Sequence, residues 1–401
     1  MQLVSPQIEK FQASSSWIRR MFEAGIELKK RYGDDKVCDF SLGNPDLTPP
    51  AAIINAMRDL TAQVARPAGL GYMPNAGYAD VRAGLAAYLS KEQQTPLQAS
   101  HVVLTCGAAG GINAFFRAVL TPGEEVLCPA PYFVEYGFYA GNFGGVLRAV
   151  PSNPGDFHLD LDGFERAITE KTRAVIINSP NNPSGVIYTE DELRRLAAIL
   201  DRATDKYGRP IFLISDEPYR FLAFDGAVVP PMLPLYTYTV IIGSFSKNLA
   251  LAGERVGYIA VNPTMPGVDS LVSGVTLTNR ILGFVNAPCI GQRLMLAALG
   301  TQADADAYIS RRKKMAAVLR EAGIDFNMPD GTFYFFPKVP GTMSDVDFVQ
   351  LLAEECILAV PGSGFGYPGY FRLALCVDER FIDIARPGFI KAARKAKSTA
   401  P

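Results

Sequence analysis

Short, unbroken apolar runs recur along the chain at residues 102–105, 125–128, 174–177, 211–215 and 239–242. Such runs show no apolar–polar alternation, and several are rich in Val and Ile. They read as strands buried on both faces, the habit of parallel sheets. Helical spacing fills the intervals. Residues 14–32 place Trp17, Ile18, Met21, Phe22 and Leu28 on one face behind Ser14 to Ser16, and residues 78–89 form another candidate helix. Thr189-Glu190-Asp191-Glu192 is a capping box that opens a third. Strands alternating with helices predict an α/β fold, with a large, mostly parallel, doubly wound sheet of the seven-stranded type. Beyond Tyr258 the pattern changes. A helix at 290–299 closes the large unit; a charged helix (305–320), an aromatic strand (331–336), a helix (345–355) and a strand at 370–375 follow. These predict a smaller α+β domain. The expected organisation is an N-terminal arm with part of the small domain (1–48), a large domain (49–292) and a C-terminal small domain (293–401).

Composition narrows the function. Hydrophobic residues make up 48% and charged residues 20% of 401, an ordinary balance for a globular enzyme. Net charge is −1, and the one basic cluster, Lys391, Arg394, Lys395 and Lys397, lacks interleaved aromatics, so nucleic acid is not an expected partner. The N-terminal twenty residues hold no signal-type apolar core and no stretch is long enough for a bilayer, so a cytoplasmic protein without membrane partners is expected. Six scattered cysteines read as free thiols rather than disulfides or metal ligands. Only His101 and His158 are present, which argues against histidine triads and multi-histidine metal sites.

The chemistry therefore rests on other groups, and these gather where strands end. The run 239–242 stops in Gly243-Ser244-Phe245-Ser246-Lys247, with Arg255 eight residues on. A lysine desolvated among cations has a lowered pKa and can act as an amine nucleophile, although phosphate contact or plain solvation are alternatives. Cys106-Gly107-Ala108-Ala109 opens a helix after the first run. Its free N–H groups suit an anion, and close helix–strand packing is the other reading. Gly43 sits in a turn, Tyr72 in a breaker-rich loop, and Phe133 in an aromatic loop; Asn182 lies in the dense 178–185 Asn/Pro loop. Asp216 and Tyr219 follow the fourth run, where an aspartate could also cap a helix. Arg372 interrupts an apolar strand and needs a partner, either a protein carboxylate or a ligand's.

Taken together, Ser-x-Ser-Lys followed by Gly-x-Arg-x-Gly-Tyr, Asp-x-x-Tyr, and the Asn-Pro loop resemble the fold-type I, class I/II aminotransferases. Ser179 and Ser184 vary that family's Asn-Pro-x-Asn-Pro-Thr-Gly pattern. The resemblance runs from about Ser41 to Leu375. It implies pyridoxal 5'-phosphate (PLP) as cofactor, and ping-pong transfer of an amino group between an L-amino acid and a 2-oxo acid through a Lys247 aldimine. Lys247, Asp216 and Tyr219 would be catalytic. Gly107, Ala108, Ala109, Phe133, Asn182, Ser244, Ser246, Arg255 and a partner subunit's Tyr72 would hold the cofactor, which implies a homodimer with shared sites. Gly43, Asn182 and Arg372 would bind the substrate carboxylate. Arg280 is a candidate for side-chain recognition, and glutamate/2-oxoglutarate is the expected half-couple. A PLP-dependent C–S β-lyase, an aminocyclopropane-carboxylate-synthase-like enzyme, and a non-catalytic regulator of the same fold share these signatures.

Overall fold

A computed structural model describes residues 3–13, 17–67 and 69–398. The cap expected at Ser14 to Ser16 lies outside them, as do the side chains of Trp17, Ile18 and Phe22, but the helix itself is present as Trp17–Tyr32.

In chain order the strands are β1 (Cys38–Asp39), β2 (Val102–Cys106), β3 (Glu125–Ala130), β4 (Val146–Pro151), β5 (Thr172–Asn178) and β6 (Phe212–Asp216). They continue as β7 (Thr239–Ser244), β8 (Val256–Val261), β9 (Tyr334–Phe335), β10 (Ile357–Leu358), β11 (Val360–Pro361) and β12 (Phe371–Ala374). Seven of them form one sheet in the order β2-β8-β7-β6-β5-β3-β4. Every pairing is parallel except those of β8, which runs antiparallel to both neighbours. The carboxyl ends of β2, β3, β5, β6 and β7 therefore share one edge, and the chain enters antiparallel β8 from that same edge.

The unbroken apolar runs are explained by burial on two sides. Val175, Ile177, Leu213 and Ile241 pack into one core, while Ala174, Ile176, Phe212, Ile214, Val240 and Ile242 pack into another on the opposite face. β3 runs two residues beyond the expected 128, through Pro129. Its pairing with β5 ends at Leu127, so the missing proline N–H costs nothing on that side.

The helix Glu190–Tyr207 starts with the expected capping box between Thr189 and Glu192. Glu192 also accepts from the Leu159 N–H at 3.1 Å and contacts His158 Nδ1 at 2.9 Å. No helix among the described residues is long and apolar enough to cross a membrane.

A third core joins Cys38 and Phe40 to residues from Tyr308 onward, and takes in Tyr219, Leu222 and Phe224 from the segment after β6. Here β11, β12 and β9 form an antiparallel sheet, and β1 pairs with β10. The aromatic strand expected at 331–336 shrinks to Tyr334–Phe335. Gly331 and Thr332 spend their N–H groups elsewhere, on the carbonyls of Gly185 (2.9 Å) and Leu222 (3.0 Å). Those two bonds tie this core to the loops after β5 and β6.

Candidate active site

A cavity of about 350 Å³ opens at the shared strand edge; β5, β6 and β7 give it Asn178, Asp216 and Ser244, and the segments that follow β2 and β3 give it Ala108, Ala109 and Phe133. Of the residues singled out from the sequence, Gly43, Ala108, Ala109, Phe133, Asn182, Asp216, Tyr219, Ser244, Ser246, Lys247, Arg255 and Arg372 line it. Two do not. Tyr72 is 94% exposed and outside the lining. Arg280 is exposed near the end of the helix Val268–Ile281, outside the lining.

Lys247 follows β7 by three residues, and its Nζ donates to the Gly43 carbonyl at 2.6 Å. Burial is the main reason its pKa falls to about 8; Arg372 and Arg255 lower it further, while Cys376 opposes the fall. The amine is thus closer to its free-base form at neutral pH than a surface lysine.

Asp216 ends β6 in full burial, and that burial raises its pKa to about 7, with Glu217 adding to the rise and the Tyr136 hydroxyl opposing it. Its Oδ2 accepts from Tyr136 Oη at 2.5 Å, and its backbone carbonyl accepts from Asn178 Nδ2 at 2.8 Å. The same Asn178 receives the Asn182 N–H through Oδ1 at 2.7 Å, so the two expected cofactor residues share one support. Oδ1 of Asp216 has no hydrogen-bond partner among the described residues. A buried carboxylate with one orphaned oxygen, on a residue that lines the cavity, is costly unless a donor or cation meets that oxygen.

Arg372, expected to need a carboxylate, has none from the protein among the described residues. Its NH1 donates to Asn182 Oδ1 (3.1 Å) and its NH2 to the Ser41 carbonyl (2.6 Å). The guanidinium lies between the rings of Tyr334 and Phe365, 4.6 and 4.8 Å from their centroids. Its Nε is buried without a partner among the described residues, and burial lowers its pKa.

The Gly107 amide opens the helix Gly107–Val119 with a φ of +70°. A Cβ there would stand 2.5 Å from Arg255 NH2, so glycine is what lets the guanidinium lie against the helix start.

Three contributors were not singled out in the sequence. Tyr136 sits three residues beyond Phe133 and looks like a core aromatic. Tyr334 places its hydroxyl 3.1 Å from that of Tyr219. Ser41 acts through its carbonyl, which no side-chain motif can report. Gly43 lies against Tyr334 so closely that a Cβ would overlap the hydroxyl. Gly43→Ala should therefore destabilise the fold by about 1–3 kcal/mol through overpacking. Thermal denaturation checks this: an unchanged Tm would show that the loop yields freely.

The donor set fits PLP. The orphaned Asp216 oxygen suits a protonated ring nitrogen, a partly buried amine suits an aldehyde, and a glycine-rich helix start beside Arg255 suits a phosphate. Comparisons with known proteins agree. Residues 35–386 match the family model described as aminotransferase class I and II. A probable aspartate/prephenate aminotransferase of Aquifex aeolicus is 32% identical over 86% of this chain and 87% of its own. The aspartate aminotransferase of Bacillus subtilis is 31% identical over 86% and 88%. The crystal structure of an aminotransferase from Eubacterium rectale superposes with a TM-score of 0.94 at 34% identity, covering 99% of this chain and all of that one. Aspartate aminotransferase from Thermus thermophilus with maleate gives 0.85 at 26% identity over 98% of this chain. With strand-end lysine, aspartate and arginine in one cavity and these likenesses across the chain, the protein belongs to the class I and II aminotransferases, PLP-dependent transaminases of fold type I.

Proposed function

We propose the following division of labour for the transfer of an amino group between an amino acid and a 2-oxo acid. The observation that carries it is the pair of buried, incompletely satisfied groups, Asp216 Oδ1 and Arg372 Nε, on the wall that also bears Lys247. Bound PLP supplies an electron sink for the charge left when a Cα–H bond of the amino acid breaks. Lys247 Nζ would hold the cofactor and, once free, would take the Cα proton of the amino acid and return it during transfer. Asp216 keeps a proton on the ring nitrogen through Oδ1. Tyr219 and Asn182 present polar groups for the phenolic oxygen, and Phe133 offers its ring face. Backbone N–H groups of Gly107, Ala108 and Ala109 hold the phosphate, together with Ser244, Ser246 and Arg255. Arg372 and the Gly43 loop anchor the α-carboxylate. The same reading divides the chain into an N-terminal arm with part of the small domain (1–48), a large domain (49–292) and a C-terminal small domain (293–401), so that Arg372 comes from the small domain and Lys247 and Asp216 from the large one.

A second copy of the chain completes this picture. Tyr72, Leu70, Met57, Ile54, Leu277 and Ile281 are exposed apolar side chains, a set that a homodimer would cover while offering Tyr72 to the neighbouring phosphate site. The cytoplasm is the proposed compartment, where six unpaired cysteines would stay reduced.

Absorbance titration tests the reading. Single amino acids added to the PLP-loaded protein should convert the cofactor to its aminated form, and one 2-oxo acid should reverse the change. Ammonia release without need of an acceptor would instead indicate a lyase. Tyr136→Phe gives a finer check on Asp216. Losing a hydrogen bond to a charged group costs about 1.5–3 kcal/mol, so the carboxyl pKa should rise further above about 7. Activity requires the ionised form, so the acid limb of the kcat/KM profile should move to higher pH. A profile unchanged in position would detach Tyr136 from the chemistry.

A further inference from the structure

Tyr334 lies where three parts of the cavity meet. It stands on β9 opposite Ala374 of β12, the strand that carries Arg372, and its ring centroid is 4.6 Å from the Arg372 guanidinium carbon. A Cβ on Gly43 would overlap its hydroxyl, and that hydroxyl is 3.1 Å from the hydroxyl of Tyr219. Both tyrosines are buried and both line the cavity. Tyr219 follows β6 and is offered to the cofactor. What Tyr334 adds depends on the bond between the two.

A pair of phenols carries two protons, and their mutual hydrogen bond uses one of them. Among the described residues neither hydroxyl has another hydrogen-bond partner. The direction of the bond therefore decides which tyrosine keeps a proton to give. Were Tyr219 the donor, its proton would be spent on Tyr334 and none would remain for a ligand. The surroundings favour the opposite direction. Arg372 stacks on the Tyr334 ring, and a cation there draws charge onto the phenol oxygen and makes its proton easier to share. Burial raises the pKa of both tyrosines. At Tyr334 the next influence is Arg372, which opposes the rise, whereas at Tyr219 it is Tyr334, which adds to it. Tyr334 is thus the stronger acid of the pair, and the stronger acid donates.

We propose that Tyr334 is a positioning residue for the transfer: its hydroxyl donates to Tyr219, which leaves the Tyr219 proton free for the phenolic oxygen of the cofactor and strengthens it as a donor. The inference rests on the reading of Tyr219 as a partner of that oxygen. Linked hydrogen bonds polarise one another, so the second tyrosine acts on the cofactor through the first without touching it.

The test reads the pH midpoint of the bound cofactor's absorbance change in PLP-loaded wild type, Tyr219→Phe, Tyr334→Phe and the double variant. A donor to the phenolic oxygen stabilises its anionic form and holds the midpoint down, so losing the donor raises it. Tyr219→Phe should raise the midpoint by about one pH unit or more, the size of a lost hydrogen bond to a charged acceptor. Tyr334→Phe keeps the ring against Arg372 and should raise it by about 0.3–0.5 unit, the share that a polarising neighbour contributes. The double variant should match Tyr219→Phe, because Tyr334 has no other route to the cofactor. The ionisable groups that face the pair, Arg372 and Cys376 at Tyr334 and Arg372 and Asp216 at Tyr219, are the same in all four proteins. A fall of the midpoint in Tyr334→Phe would show that Tyr219 is the donor and would overturn the proposal. An unmoved midpoint there, with Tyr219→Phe shifted, would overturn it and leave the Tyr219 reading standing. Shifts that add in the double variant would give Tyr334 an independent route and overturn it too. An unmoved midpoint in Tyr219→Phe would remove the Tyr219 reading and this inference with it. A Tyr334→Phe protein that loads no PLP would make the hydroxyl a structural group, and would equally overturn it.

Discussion

Lys247→Ala should yield a folded protein that still binds PLP but forms no borohydride-reducible bond to it, with amino transfer slowed on the order of 10⁴-fold or more. The magnitude follows from the two tasks on one atom. Among the described residues Nζ is the only amine on the cavity wall, so its loss removes both the covalent anchor and the group that moves the Cα proton. The structural cost should be small by comparison. The Gly43 carbonyl loses its 2.6 Å donor, and the ammonium leaves its place 5.7 Å from the Phe333 ring centroid. One unmade hydrogen bond is worth about 1 kcal/mol. Reduction with borohydride, digestion and peptide mapping decide the matter. Covalent label persisting in the variant would assign the linkage to another residue. Added methylamine offers a second readout, because a small amine can restore proton transfer without restoring the tether. Rescue of the rate without rescue of the label would separate the two tasks.

The fold was legible where local pattern and tertiary environment coincide. Runs such as 174–177 and 239–242 show no alternation because both sheet faces are covered, and the two cores divide their residues strictly by parity. Lys247, Asp216 and Asn182 were legible because polar groups interrupt such runs at their ends, where a parallel sheet must place its site. Other contributors depend on contacts that sequence spacing cannot reveal. Tyr136 meets Asp216 across 80 positions and Tyr219 meets Tyr334 across 115, and each tyrosine alone reads as core. Ser41 contributes a carbonyl, which every residue possesses. Arg372 sat between two readings until its neighbours were known. The absence of a protein carboxylate beside it supports the ligand reading over a structural ion pair.

Arg372→Met should lower kcat/KM for amino acids by about 10²- to 10⁴-fold, the equivalent of roughly 2–5 kcal/mol for truncating one partner of a buried charge pair. Most of the loss should appear in KM, with the cofactor band retained, since Asp216 and Lys247 keep their supports. Methionine is chosen because it fills the slot between Tyr334 and Phe365 without a charge. A guanidinium in full burial with no carboxylate beside it among the described residues is itself costly, and its removal offsets the loss of one donor each to Asn182 Oδ1 and the Ser41 carbonyl. The ligand-free variant should therefore melt no lower than wild type. Carboxylate ligands should raise the Tm of wild type, by mass action on the folded state, and leave that of the variant unmoved. Arg372→Lys should recover only part of the affinity, because an ammonium cannot present two parallel N–H donors to a carboxylate or stack flat between two rings. An unchanged kcat/KM would exclude Arg372 as the anchor. A large fall in Tm with normal affinity would make it a structural residue, and the carboxylate would then have to be held from the Gly43 loop alone.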